Sequence, residues 1–227
     1  MKLYLASLIL LCLALAAVPA MAQGSYNNGP VNGQIDAWTI NFGFSVSDTF
    51  QVSGSGGADP LNSLSFYAWL DPGDSISNVE LQVGNSAFGN TLFDGTLSLT
   101  QSGCSTNGFG FDVCKESSNF GLGPILGAGN YWLTLQNASV PSGDPTYWDE
   151  NSGVGCTSPG CPSVAQENTL GTIPSEAFTV GWDSSTTNST SGCAVAGLNN
   201  CPEPSSLLLF GSGIAGLARM LRLKIRW

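Results

Sequence analysis

Apolar residues fall on every second position through much of this chain, and that spacing limits the fold more than any other feature. Trp38, Ile40, Phe42, Phe44 and Val46 alternate with Thr39, Asn41, Gly43 and Ser45, which predicts a strand with one buried face. Leu64, Phe66, Ala68 and Leu70 repeat the pattern and stop at "DPGD", a turn sequence. Val79 to Val83, Thr91 to Leu99, Phe109 to Val113, Tyr131 to Leu135 and Phe178 to Trp182 read as further strands. Between them lie "GNS", "SGCSTNG", "GAGN" and "VPSGDP", all rich in residues that turn the backbone. No segment combines a 3.6-residue period with helix caps. Short strands at this frequency predict an all-β fold, a single jelly-roll-like β-sandwich over residues 23–183.

The charge distribution narrows the partners. Only 10% of the 227 residues are charged, and the formal net charge is -10. Five of the six basic residues sit near the two ends, so residues 23–201 hold fifteen acids against Lys115 alone, a formal charge of -14. Such a surface repels nucleic-acid phosphates and anionic headgroups, and it suits neutral glycans, cations or plain solubility. Histidine is absent, which removes the usual general base near neutral pH and the commonest metal ligand. No cofactor and no metal centre are predicted.

Residues 1–22 read as a secretory signal peptide. Lys2 precedes an apolar run from Leu3 to Val18, and Ala20 and Ala22 fit an A-x-A cleavage site that makes Gln23 the first mature residue. An uncleaved anchor is the competing reading, opposed by Pro19 and the small residues after it. Loss of Cys12 with the signal leaves six cysteines, Cys104, Cys114, Cys156, Cys161, Cys193 and Cys201. An even number in an exported chain predicts disulfides. The spacing favours local pairs, 104 with 114, 156 with 161 and 193 with 201. No C-x-x-C spacing supports a zinc site.

Residues 184–201 begin with "SSTTNSTSG", a polar tether. Beyond it, Ser205 to Ala218 carries no charge, and Arg219, Arg222, Lys224 and Arg226 then crowd the last nine positions. Fourteen helical residues span about 21 Å. With Arg219 and Arg222 snorkelling and the segment running on to Leu223, a short membrane span is predicted. The cations hold their end on the cytoplasmic side, so everything before Ser205 faces outward.

"PEPSSLLLFGSGIAGLARMLR", Pro202 to Arg222, resembles the PEP-CTERM sorting signal of Gram-negative bacteria in its Pro-Glu-Pro motif, its small-residue apolar helix and its basic end. The resemblance covers residues 202–227 only. It implies that Pro202, Glu203 and Pro204 are the motif an exosortase recognises in the inner membrane. It also implies a cut near that motif and passage of the protein toward the cell surface or exterior. Cys201 stands directly before the motif, where an apolar residue is more usual, and "LKIRW" lengthens the basic end. A plain C-terminal anchor, with Pro-Glu-Pro as a stiff linker, is the competing reading.

The densest candidate for chemistry in the middle of the chain is "PTYWDENSG", Pro145 to Gly153. Tyr147 and Trp148 offer ring faces on which sugars stack, and Asp149 and Glu150 offer carboxylates for hydroxyls or, as a pair, for glycoside hydrolysis. Adjacent strand residues point to opposite faces, which sets the pair poorly for flanking one bond. A loop with buried aromatics and a solvated acidic edge explains the same residues. "DPGDSISNVE", Asp71 to Glu80, gathers three acids suited to calcium but lacks the spacing of a known calcium loop. The sequence is thus read as an exported, non-catalytic β-sandwich protein, transiently held in the inner membrane with its domain periplasmic. Its expected partners are the export machinery, an exosortase and, by the resemblance, extracellular polysaccharide. An exported carbohydrate-active enzyme is the alternative.

Overall fold

The computed structural model describes residues 23–53, 59–121, 123–153, 156 and 158–183. Fourteen strands run through these residues: β1 (Gln23–Asn27), β2 (Ala37–Thr39), β3 (Ser45–Val52), β4 (Asp59–Leu70), β5 (Asn78–Ser86), β6 (Gly89–Ser98) and β7 (Thr100–Thr106), then β8 (Asp112–Asn119), β9 (Ile125–Leu126), β10 (Gly129–Ser139), β11 (Tyr147–Asp149), β12 (Ala165–Glu167), β13 (Gly171–Ile173) and β14 (Phe178–Asp183). They form two antiparallel sheets packed face to face, the all-β sandwich that the alternation predicts. No helix among the described residues is long and apolar enough to cross a membrane. The signal peptide, the tether, the predicted sorting helix and the 193 to 201 bridge all fall outside the described residues.

The first sheet is built around β4. On one side β4 pairs with β8, and β8 with β7. On the other it pairs with β14 along Leu61–Phe66 and with β11 at Ala68 and Trp69. β14 carries β1 beyond it, β11 carries β2, and β9 pairs with the start of β4. The second sheet runs β13-β12-β3-β10-β5-β6. The core forms where alternate residues of both inner faces meet. Leu64, Phe66, Ala68 and Leu70 of β4 and Phe178, Val180 and Trp182 of β14 pack with Val46, Phe50 and Val52 of β3, Val79, Leu81 and Val83 of β5, and Leu133 and Leu135 of β10.

Two predicted strands are shorter than their alternation suggests. The run from Trp38 to Val46 breaks after Thr39, where Phe42 (φ 55°) and Gly43 (φ 86°) take left-handed conformations and the Phe44 amide donates to the Asn41 carbonyl at 3.0 Å. Ile40 stays buried, while Phe42 and Phe44 face solvent. Period two in the letters survives here although the backbone has turned, because a Gly in the left-handed region costs nothing sterically. Similarly, the Asn107 carboxamide oxygen accepts from the amides of Phe109 and Phe111, both at 3.0 Å. That Asx turn delays the strand to Asp112. The hairpin of β7 and β8 escapes a search for apolar alternation, since its inward positions include Glu116 and Ser118.

Both disulfides within the described residues join the cysteines that the spacing pairs, Cys104 with Cys114 and Cys156 with Cys161. The first ties β7 to β8 and places the Cys114 sulfur in the core. Replacing Cys104 and Cys114 together by Ser is expected to destabilise the domain by about 3 kcal/mol, from the loop entropy returned to the unfolded chain. Denaturant unfolding of both forms checks this. At the N-terminal edge, Gly24 sits opposite Trp182, and a Cβ on Gly24 would lie 2.1 Å from the indole Nε1. Gly24→Ala therefore displaces a buried indole and is expected to cost ~1–3 kcal/mol, as overpacking typically does. The same measurement tests it.

Candidate functional site

The stretch from Pro145 to Gly153 lies across the end of the first sheet, where β11 sits between β2 and β4. Successive side chains go to opposite faces, and the structure separates the four residues accordingly. Trp148 points into the core with no exposed surface, its ring edge-on to Phe66 and Phe178 and its indole N–H donating to the Ala177 carbonyl at 3.1 Å. Asp149 is also buried. One of its oxygens accepts from the Asn32 amide at 2.8 Å, the other from the Gly33 amide at 2.8 Å and the Trp69 indole at 2.5 Å. Tyr147 and Glu150 stay half-exposed. The structure therefore divides Tyr147, Trp148, Asp149 and Glu150 between a core anchor, a loop clamp and two surface groups.

The least expected feature is a second buried carboxyl, Asp48 of β3. One oxygen accepts from the backbone amide of Glu176 at 2.7 Å and from the Asn28 carboxamide at 3.1 Å. The other accepts from the Thr49 amide at 2.6 Å and, closely, from the Ser163 hydroxyl. Asn28 is itself satisfied on every side, with the Tyr26 hydroxyl and the Ser163 amide donating to its oxygen and its amide reaching the Glu176 carbonyl. Asn151 joins from the far end of the 145–153 stretch, donating to the Asn28 carbonyl at 2.9 Å. Beside this network the Glu176 carboxyl is fully buried, and neither of its oxygens has a hydrogen-bond partner among the described residues. Glu116 of β8 lies in the same condition in the core.

Burial governs the proton affinity of these groups, since an ion in low dielectric loses its hydration. It lifts the Asp48 carboxyl to about 7 against the hydrogen bonds of Glu176, Ser163 and Thr49, which favour the ion. It lifts Glu116 to about 7 and Asp149 to about 6. Glu176 is raised well above the usual carboxylate range, by burial first and then by the neighbouring negative charges of Asp48, Asp149, Glu150 and Asp36. Glu150 is raised more modestly, by burial, Asp36 and Asp149. Groups with raised proton affinity are often catalytic, but they serve chemistry only where a reactant can reach them. Asp48, Glu176 and Glu116 lie inside the packed sandwich, and Asp149 is equally buried against the Asn32 and Gly33 amides.

The loops at one end of the sandwich assemble a different acidic group. Carboxylate oxygens of Asp71, Asp74 and Asp144 lie within 4.8 Å of one another, half-exposed. Their donor set is the oxygen-only chemistry that a hard divalent cation takes. Glu80, which the sequence places with Asp71 and Asp74, instead accepts from Gln136 at 2.5 Å and Asn137 at 2.7 Å on the second sheet. Asp144 comes from a loop seventy residues later, so no local spacing points to it.

The outer face of the first sheet collects aromatic rings that the sequence scatters. Trp69 stacks with Phe109 at 5.6 Å between centroids and lies 5.9 Å from Phe111, which meets Tyr147 edge-on at 5.6 Å. Phe109 is 63% exposed. Of this group, only Tyr147 belongs to the stretch singled out from the sequence. The outward alternation of Ser63, Ser65, Tyr67 and Trp69 along β4 signals Trp69, while Phe109 and Phe111 come from a loop that no local pattern links to it.

Fold and composition together define an acidic, disulfide-bridged β-sandwich joined to an apolar segment that ends in cations. The family model of the PEP-CTERM protein-sorting motif matches residues 200–222, which contain Pro202, Glu203 and Pro204 and run to Arg222. The chain thus carries a PEP-CTERM sorting signal, which implies export across the membrane and exosortase-dependent sorting to the cell surface. No curated protein matches the chain.

The buried carboxyls make stability depend on pH in the direction opposite to ordinary acid denaturation. Each binds its proton more tightly folded than unfolded, so between about pH 4.5 and the folded values the native state holds more protons and stability falls as pH rises. The melting temperature is expected to increase between pH 8 and pH 5.5, by ~2–4 °C for each kcal/mol recovered. Glu176→Gln cannot ionise and should show a shallower rise and a higher melting temperature than wild type at pH 8. Thermal unfolding followed by circular dichroism checks both.

Proposed function

We propose that this is an exported, surface-destined and non-catalytic β-sandwich protein, delivered by its C-terminal tail to an exosortase and associated outside the cell with polysaccharide matrix. The observation that carries the reading is the sorting motif at residues 200–222 attached to this domain. Ser205–Ala218, extended to Leu223, supplies an apolar helix for the inner membrane, and Arg219, Arg222, Lys224 and Arg226 hold its end on the cytoplasmic side. Pro202, Glu203 and Pro204 then lie on the periplasmic side, where the exosortase acts.

Several physical features favour the same reading. Two disulfides suit an oxidising compartment, and a strongly acidic surface keeps a domain soluble outside the cell. Most successive strands cross between the sheets, which favours a jelly-roll-like winding. The carboxyls with the most perturbed proton affinity, Asp48, Glu116, Asp149 and Glu176, are buried away from any surface where a substrate bond could reach them. That supports a binding or structural role over hydrolysis.

Mass spectrometry of the protein recovered from the outside of its native host is expected to show a chain beginning at Gln23 and lacking the segment beyond the Pro202–Pro204 motif. Deletion of the exosortase should leave the tail in place and the protein in the inner membrane. An exported form that retains Trp227 would reject the processing step.

A further inference from the structure

We propose that the outer face of the first sheet is a binding site for a neutral polysaccharide chain lying along β4; this rests on the matrix association above and assigns it a surface. The register places the residues in rows. Gly181, Ser63 and Asn119 stand side by side, with Ser25 next to Gly181. Thr179, Ser65 and Ser117 form the next row, then Tyr67 beside Lys115, then Tyr147 with Trp69 and Val113, the last two buried and Phe109 stacked over Trp69. From Ser63 to Trp69 the strand advances ~20 Å.

The two halves of this face do different work. The first half is a shallow groove of about 300 Å3 lined by Ser25, Ser63, Ser65, Ser117, Asn119 and Thr179. Its side chains are short, uncharged and able both to donate and to accept, as the hydroxyls of a sugar require. The second half ends in the ring cluster of Trp69, Phe109, Phe111 and Tyr147, where the exposed ring of Phe109 presents an apolar plane against which the C–H face of a pyranose packs. Hydroxyl-lined floor and aromatic platform together match a ligand that is polar at its edges and apolar on its faces.

Other occupants fit less well. β4, β8 and β14 are each paired on both sides, so this face offers no free edge for an added peptide strand. Most side chains lining the groove carry a hydroxyl or a carboxamide, which disfavours a lipid chain. A polyanion meets one cation, Lys115, on a domain whose described residues otherwise carry only acids, and long-range repulsion opposes its approach.

The exported, processed protein is incubated with amorphous cellulose, starch, xylan and the polyanion alginate, and its depletion from solution is measured. At least one of the three neutral polymers is expected to deplete it, with alginate inert. Ser65→Trp fills the groove from a half-exposed strand position on its floor, and Phe109→Ala removes the platform. Each should weaken binding at least tenfold with the melting temperature unchanged, while Thr96→Trp, exposed on the second sheet, binds as wild type. Depletion of wild type by none of the neutral polymers rejects the polysaccharide association itself and this site with it. Undiminished binding by both Ser65→Trp and Phe109→Ala overturns the site alone, and preference for alginate overturns the neutral ligand.

Discussion

One carboxyl group fastens the two sheets where their apolar packing ends. Asp48 leaves β3 on the same side as Val46 and Phe50, yet it faces backbone and carboxamide donors from the first sheet, the Glu176 amide and Asn28. Its remaining oxygen closes the loop before β12 through Ser163. Hydrogen bonds to a buried carboxyl are worth more than those in water, and each is lost at full desolvation cost if the acceptor goes. Asn28, Tyr26, Asn151, Ser163 and Ser175 owe their positions to that group or to each other. The 145–153 stretch, which the sequence marks for its aromatics and acids, is thereby drawn into the framework of the fold.

A domain with one cation cannot neutralise buried acids by pairing, so it must keep them protonated or surround them with donors. Both solutions occur. Asp48 and Asp149 are ringed by amides, an indole and a hydroxyl. Glu116 and Glu176 have no such partners, and burial raises their proton affinity. The conflict between an acidic composition, useful on an exposed surface, and an apolar core is thus resolved residue by residue. A consequence is that the most strongly raised carboxyls mark the interior, while acids such as Asp71, Asp74 and Asp144 stay half-exposed at the surface.

How much of this the sequence discloses depends on whether the signal is local. β4, β5, β10 and β14 bury alternate apolar residues, and their letters show it. The pairings of Cys104 with Cys114 and Cys156 with Cys161 are short-range and follow from spacing. The break at Phe42 is illegible because an exposed Phe and a buried one contribute the same letter to a period-two count, and only the left-handed backbone distinguishes them. β8 is hidden for the converse reason, since Glu116 and Ser118 face inward where apolar residues are expected. The Asp48 network, the Asp71–Asp74–Asp144 group and the ring cluster around Trp69 each join segments far apart in the chain, and no window of neighbouring residues contains them. The sorting motif at residues 200–222 is legible because its residues are contiguous.

The chain keeps its folding information apart from its address. β1 begins at Gln23 and pairs along its length with β14, which ends at Asp183. The first described strand is thus an edge of the first sheet, held there by the last, and both lie within the boundaries that signal removal and tail processing would leave. Cutting near Pro202–Pro204 takes away no described strand and neither described disulfide. The sorting motif is matched from residue 200, beyond Asp183 at the end of β14, so a cut there falls outside every described strand. A β-sandwich whose last strand ran into the motif would have to unpair that strand to be processed. Here the described strands and both described disulfides all precede the motif.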